Sequence, residues 1–90
     1  MKKVSQTKQF SRDVHRMRKR GKDLEKLQET VKLLAEGTPL PANHRDHPLI
    51  GPWQSSRDCH IAADWILIYT ADKDSLCLER TGTYSDLFKK

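Results

Sequence analysis

Residues 44–69 read HRDHPLIGPWQSSRDCHIAADWILIY. From Trp53 to Ile61 the side chains alternate. Trp53, Ser55, Arg57, Cys59 and Ile61 fall on one face, and Gln54, Ser56, Asp58 and His60 fall on the other, which is the period of a strand. Ala62 and Ala63 leave room only for a tight connection, and Trp65 to Tyr69 is an unbroken run of strand-forming apolar residues. An antiparallel hairpin follows, with His60 and Asp64 near the same end of it. The whole segment also concentrates three histidines, two arginines, three aspartates and two tryptophans. Packing a core does not require that mixture; chemistry does.

Working outward from the hairpin, Leu76 to Thr81 is a further strand, with Leu76, Leu78 and Arg80 expected on one face and Cys77, Glu79 and Thr81 on the other. It follows the polar turn 71–75 and ends at Gly82. Tyr84, Leu87 and Phe88 then recur at one-turn spacing, predicting a short C-terminal helix or turn. Upstream, Thr38-Pro-Leu-Pro41 cannot continue a helix. The segment 42–52 is expected to be an ordered loop carrying His44, Arg45, Asp46 and His47. Before it, Leu24, Leu27, Val31 and Leu34 define an amphipathic helix that stops at Gly37. Thr7 is the N-cap of an earlier one, with Phe10, Val14 and Met17 inward and Lys8, Arg12, Arg16 and Lys19 outward. Residues 1–6 carry a weak edge-strand signal. The expected fold class is therefore α+β: two N-terminal helices packed on a small antiparallel sheet of three to four strands, ending in a short helix or turn.

Ninety residues predict a single domain over 1–90, burying about 60% of the surface its unfolded chain exposes. No apolar run approaches the roughly 18 residues of a membrane span, and the basic start lacks the apolar stretch of a signal peptide. The expected location is the cytoplasm, with no membrane partner. Cys59 and Cys77 fall on strands and are expected to be reduced core thiols. Charge is unevenly placed: residues 1–22 carry nine Lys and Arg against Asp13 alone, whereas the remainder is net acidic. A solvated helix face accounts for ordinary charge runs. This density, extending through Arg20 and Lys22, points instead to a polyanion partner.

Histidine is suited to proton transfer near neutrality. His47, His60 and Asp64, with Arg57 and Arg80 on neighbouring strands, match the requirements of RNA backbone cleavage. One group takes the 2′-OH proton, cations stabilise the phosphorane, and another group protonates the departing 5′-oxygen. No metal or other cofactor is required. A three-ligand metal site from His60, Asp64 and either His44 or His47 is the competing reading, and the adjacent arginines oppose it. Trp53 is expected in the core, and Trp65 at the edge of the site.

Three separated motifs, RDHPLIGPW, RDCHIAADW and RTGTYSDLF, lie within LPANHRDHPLIGPWQSSRDCHIAADWILIY and LCLERTGTYSDLF. In that order they closely resemble the YafQ branch of the RelE/ParE toxins, over nearly the whole chain from Phe10 to Phe88. The resemblance implies a ribosome-dependent mRNA interferase whose site lies on the concave side of the sheet, and a cognate antitoxin that neutralises it. It carries functional roles onto His47, His60, Asp64, Trp65 and Phe88, the last two positioning the nucleotide. It also implies that the basic face of Lys8, Arg12, Arg16, Lys19, Arg20 and Lys22 grips ribosomal RNA. The branch usually has a histidine in a TGTH motif where this chain has Tyr84. A phenol replaces it in proton transfer only with cations close by, for which Arg80 and Arg57 are the candidates. Otherwise Tyr84 marks a non-catalytic RNA or ribosome binder. A ParE-like inhibitor of DNA gyrase on the same fold has no evident use for the histidines.

Overall fold

The structure is a computed structural model that describes residues 1–48 and 56–88. In chain order the elements are β1 (Lys3–Gln6), α1 (Lys8–Lys19), α2 (Leu24–Glu36), a 3₁₀ turn (Ala42–His44), β2 (His47–Pro48), β3 (Arg57–Ala62), β4 (Trp65–Ala71), β5 (Ser75–Gly82) and α3 (Tyr84–Phe88). The α+β class and the two N-terminal helices are as the sequence implies. The expected strand start at Trp53, the loop portion 49–52 and the core placement of Trp53 lie outside the described residues.

The sheet has the order β1-β5-β4-β3-β2. Its antiparallel body runs from β2 to β5, and β1 joins the far edge parallel to β5, from Lys3 opposite Ser75 to Gln6 opposite Leu78. The sheet is therefore mixed. A parallel pair needs a long crossover, and the two helices supply it by returning the chain from β1 to the other side of the sheet.

Local chemistry sets both helix ends. Thr7 Oγ1 accepts the Phe10 N–H at 2.9 Å and caps α1. Asp23 accepts the Glu25 N–H at 3.0 Å and caps α2. Gly37, at φ 76°, closes α2 in the left-handed conformation that a residue with a Cβ resists. The apolar stripes of the helices, Phe10 and Met17 on α1 with Leu27, Leu34 and Ala35 on α2, pack on Cys59, Ile61, Trp65, Leu67, Tyr69, Leu76 and Leu78. A core Leu such as Leu67, with 0% exposure, contributes about 1.5–3 kcal/mol by leaving water.

Two irregularities re-aim side chains. The β3–β4 register slips between His60 and Ala62, and the β4–β5 register slips between Ile68 and Tyr69. In the second, Arg80 pairs with Ile68 while Leu78 pairs with Tyr69, so Glu79 is the extra residue of a bulge. Strict alternation puts Arg80 beside Leu78; the bulge turns Arg80 to the opposite face and Thr81 into the core. Cys59 is a core thiol as expected. Cys77 is not, because it alternates with Leu76 and Leu78 and is only half-buried on the other face.

Burial fixes a pH window. Desolvation pushes the Cys59 thiol up to about 12 and, with the Asp46 hydrogen bond, raises the Tyr69 phenol. Both groups favour the folded state while protonated. Their contribution is intact below their unfolded pKa values, about 8.5 and 10, and declines as pH rises through the folded ones. We expect Tm to fall above about pH 9, and Cys59→Ala to lessen that alkaline slope in thermal melts.

Candidate active site

The two faces of the sheet differ in chemistry. Ile66 and Ile68 are 1% and 0% exposed, yet they alternate with the helix-side cluster and belong to the opposite face. Across that face the register aligns Asp58, Ile68 and Arg80 in one row and His60, Ile66 and Gly82 in the next. The backbone partner of Asp58 on the outer strand is His47, which extends the first row. The isoleucines form an apolar floor with polar and charged groups along both sides. His60 is half-buried there.

The segment before β2 is pinned against β3 at two points. Asp46 Oδ1 accepts the Tyr69 hydroxyl at 2.6 Å and Arg57 Nε at 3.1 Å. His44 Nδ1 lies 2.8 Å from the carbonyl oxygen of His60. A carbonyl only accepts, so Nδ1 carries the proton of this contact. Between them Arg45 takes a left-handed conformation, φ 48°. His44, Arg45, Asn43, His60 and the Ile61–Ala63 backbone line a cleft of about 370 Å³.

The C-terminal wall is α3. Thr83 and Asp86 exchange hydrogen bonds, Asp86 N–H to Thr83 Oγ1 at 3.1 Å and Thr83 N–H to Asp86 Oδ2 at 2.9 Å, which is the reciprocal logic of a capping box. Asp86 is also gripped by Arg20 from α1 at 2.6 and 3.2 Å. Asp64 Oδ1 accepts the Tyr84 N–H at 3.3 Å, tying the β3–β4 turn to the start of α3. Among the described residues this backbone group, rather than the His60 imidazole, is the partner of Asp64. Tyr84 is 63% exposed, and its ring centre is 4.9 Å from that of Phe88.

The Arg20 hydrogen bond, aided by the Thr83 N–H, holds the Asp86 carboxyl well below the usual carboxylate range. Its stabilisation is complete above the unfolded carboxylate pKa of about 3.9 and is lost as pH falls toward the folded value. We expect Asp86→Asn to lower Tm at neutral pH but to flatten its decline below about pH 4, as read by thermal melts across pH.

Arg80 leans on a group that the charge count recorded only as an exception. Asp13 has 0% exposed side chain, and its Oδ2 accepts Arg80 Nε at 2.7 Å and the Thr81 N–H at 3.2 Å. Its Oδ1 accepts Arg16 Nη2 at 2.9 Å and Arg80 Nη2 at 3.2 Å. The sequence did hold a signal for this: Asp13 lies between Phe10, Val14 and Met17 on the apolar stripe of α1, where a charge requires partners.

The structure thus brings His60, Arg80 and the His47 backbone to one face, with Asp64, Tyr84 and Phe88 along its C-terminal border. It does not bring Arg57 there. Arg57 shares the Cys59 face and is held by Asp46, as the strand alternation itself requires. Trp65 is 1% exposed and donates its indole N–H to Thr81 Oγ1 at 2.8 Å, so it offers no ring face to a nucleotide. Of the basic face, Lys8, Arg12 and Lys19 are exposed and Lys22 is partly so, whereas Arg16 turns partly inward to Asp13 and Arg20, though exposed, is paired with Asp86. Positions 13, 16 and 20 share one stripe of the helix, which is why these arginines differ from their neighbours. Among the described residues no group of three His, Cys, Asp or Glu is placed to hold an ion.

Comparison with known proteins agrees with this architecture. The chain is 49% identical over 81 residues to the mRNA interferase toxin YafQ of Escherichia coli K12, covering 89% of this chain and 88% of that one. It superposes on the crystal structure of YafQ from E. coli BL21(DE3) with a TM-score of 0.93 and 45% identity, covering 98% and 99% of the two chains. Against the E. coli DinJ–YafQ complex the TM-score is 0.91 at 44% identity, again covering 98% and 99%. The family model described as bacterial toxin of type II toxin-antitoxin system, YafQ, matches residues 2–89, and the chain belongs to that family.

Proposed function

We propose that this chain is an endoribonuclease toxin that cuts mRNA in the A site of translating ribosomes, in the cytoplasm, and that a cognate antitoxin neutralises it. The names of its relatives support the class of reaction. The observation that carries the site is the register that sets His60 and Arg80 on one face, beside a helix that begins at Tyr84.

In this reading the RNA backbone lies along His60 and Arg80, which flank the covered Ile66 and Ile68. His60 and His47 exchange protons with the 2′-oxygen and the 5′-oxygen, and Arg80 stabilises the phosphorane. Tyr84 takes part in proton transfer at the border, and Phe88 beside it presents a ring to a base. Asp64 is a positioning residue that fixes the start of α3. Lys8, Arg12, Lys19 and Lys22 contact ribosomal RNA. No step calls on a bound cofactor.

The test adds purified protein to an mRNA with and without translating ribosomes, in parallel with Tyr84→His, and maps 5′ ends. Cleavage only with ribosomes is expected for both chains, with the variant no more than about tenfold faster. Absence of cleavage by either chain would remove the enzymatic reading, and cleavage by Tyr84→His alone would make this chain a binder that has lost its chemistry.

A further inference from the structure

Beyond Leu78, β5 has no strand on its outer side among the described residues, because β1 ends opposite that residue. The second half of α1 closes this open edge instead: Asp13 reaches the Thr81 N–H, Arg16 lies near Gly82, and Arg20 holds Asp86. A Cβ at Gly82 would stand 3.0 Å from Asp86 Oδ2 and 3.5 Å from Arg16 Nη2, so the three elements meet at that glycine.

The charges at this junction do not cancel. Arg20 is matched by Asp86. Arg16 and Arg80 share Asp13, and one carboxylate cannot neutralise two guanidinium groups. Both are open to solvent on their outer sides, 38% and 23% exposed, while Asp13 is fully covered. Arg16 Nε is buried and out of a ligand's reach, and Nη2 is the contact with Asp13, so it is the exposed end of the guanidinium that retains donors to give. Two planar donor groups held side by side by one carboxylate, with excess positive charge, suit neighbouring phosphates of one strand.

We infer that Arg16, set beside Arg80 by Asp13, forms a second phosphate subsite on the open edge of β5, which seats an RNA phosphodiester next to the one whose phosphorane Arg80 stabilises. This assigns Arg16 to the bound message rather than to ribosomal RNA. It rests on the proposed reaction only for the identity of the strand; the subsite itself is a property of RNA binding.

The probe is a fully 2′-O-methylated RNA tetranucleotide, which cannot be cleaved, titrated at several salt concentrations. Arg16→Gln is expected to bind about tenfold more weakly, and the slope of log K against log salt to shrink by about 0.7, the loss of one single-strand phosphate contact. Lys32→Gln, the same charge change on the exposed face of α2, is expected to stay within about twofold of the parent, as a charge far from the contact does. Affinity of Arg16→Gln equal to that of Lys32→Gln would overturn the proposal. If circular dichroism shows Arg16→Gln to be unfolded, Arg16→Lys replaces it. There a loss above about threefold supports the two-pronged contact, because lysine keeps the charge but not the fork, and a smaller loss overturns it. The parent chain separates this inference from the reaction: Arg16-dependent binding without mRNA cleavage removes the enzyme and keeps the subsite, and cleavage unaffected by Arg16 does the reverse.

Discussion

His60→Gln is expected to lower ribosome-dependent mRNA cleavage by about 10²–10⁴-fold, the range for losing a proton-transfer group, with Tm moving by no more than about 4 °C. The small second effect follows from geometry. The His60 contact that braces the loop runs through its backbone carbonyl to His44, which a change of side chain leaves in place. The ring is half-buried above Ile66, and glutamine fills similar space. A surface-type change of about 0.5 kcal/mol corresponds to a few degrees in a domain of this size. Activity and stability therefore separate. Cleavage within about threefold of the parent would mean that His60 moves no proton in the slow step, and the site would have to be rebuilt around His47 and Tyr84.

Much of this face was legible because strands advertise their period. The alternation from Arg57 to Ile61 placed His60 correctly opposite Cys59, and it also separated Arg57 from His60, although the residue types alone made both look catalytic. What alternation cannot show is a bulge. The extra residue at Glu79 carries no turn signature, and it alone decides that Arg80 joins Asp58 and His60 rather than Leu76 and Leu78. Trp65 was misplaced for a related reason: adjacency to Asp64 in sequence suggested the site edge, but consecutive residues at a strand start point in opposite directions. The parallel β1 was faint in sequence because its residues are exposed throughout and therefore show no apolar pattern. Its place is set by backbone bonds at its ends, Lys2 N–H to the Ala35 carbonyl at 2.8 Å and Thr7 N–H to the Leu78 carbonyl at 3.1 Å.

Asp13→Ala is expected to be the most destabilising single change outside the apolar core, at about 3 kcal/mol, the low end for removing one partner of a buried ion pair. The low end applies because Arg16 and Arg80 are partly exposed and can turn toward water. The Thr81 N–H cannot, since Thr81 is 0% exposed and packed under Trp65 through its hydroxyl. That orphaned donor accounts for about 1–3 kcal/mol of the loss. At roughly 4–8 °C per kcal/mol, Tm should drop by about 12–24 °C. The same change releases Arg80 from its brace, so cleavage measured well below the new Tm should also fall, through a guanidinium that now has to be ordered by the RNA itself. A partner change distinguishes the two effects. Arg16→Ala leaves Asp13 with Arg80 and Thr81, and it should cost no more than about 1 kcal/mol, as a partly exposed ion pair does. Equal destabilisation by Asp13→Ala and Arg16→Ala would show that the carboxylate serves Arg16 alone, and that the bulge at Glu79, without help from α1, is what aims Arg80 at the site.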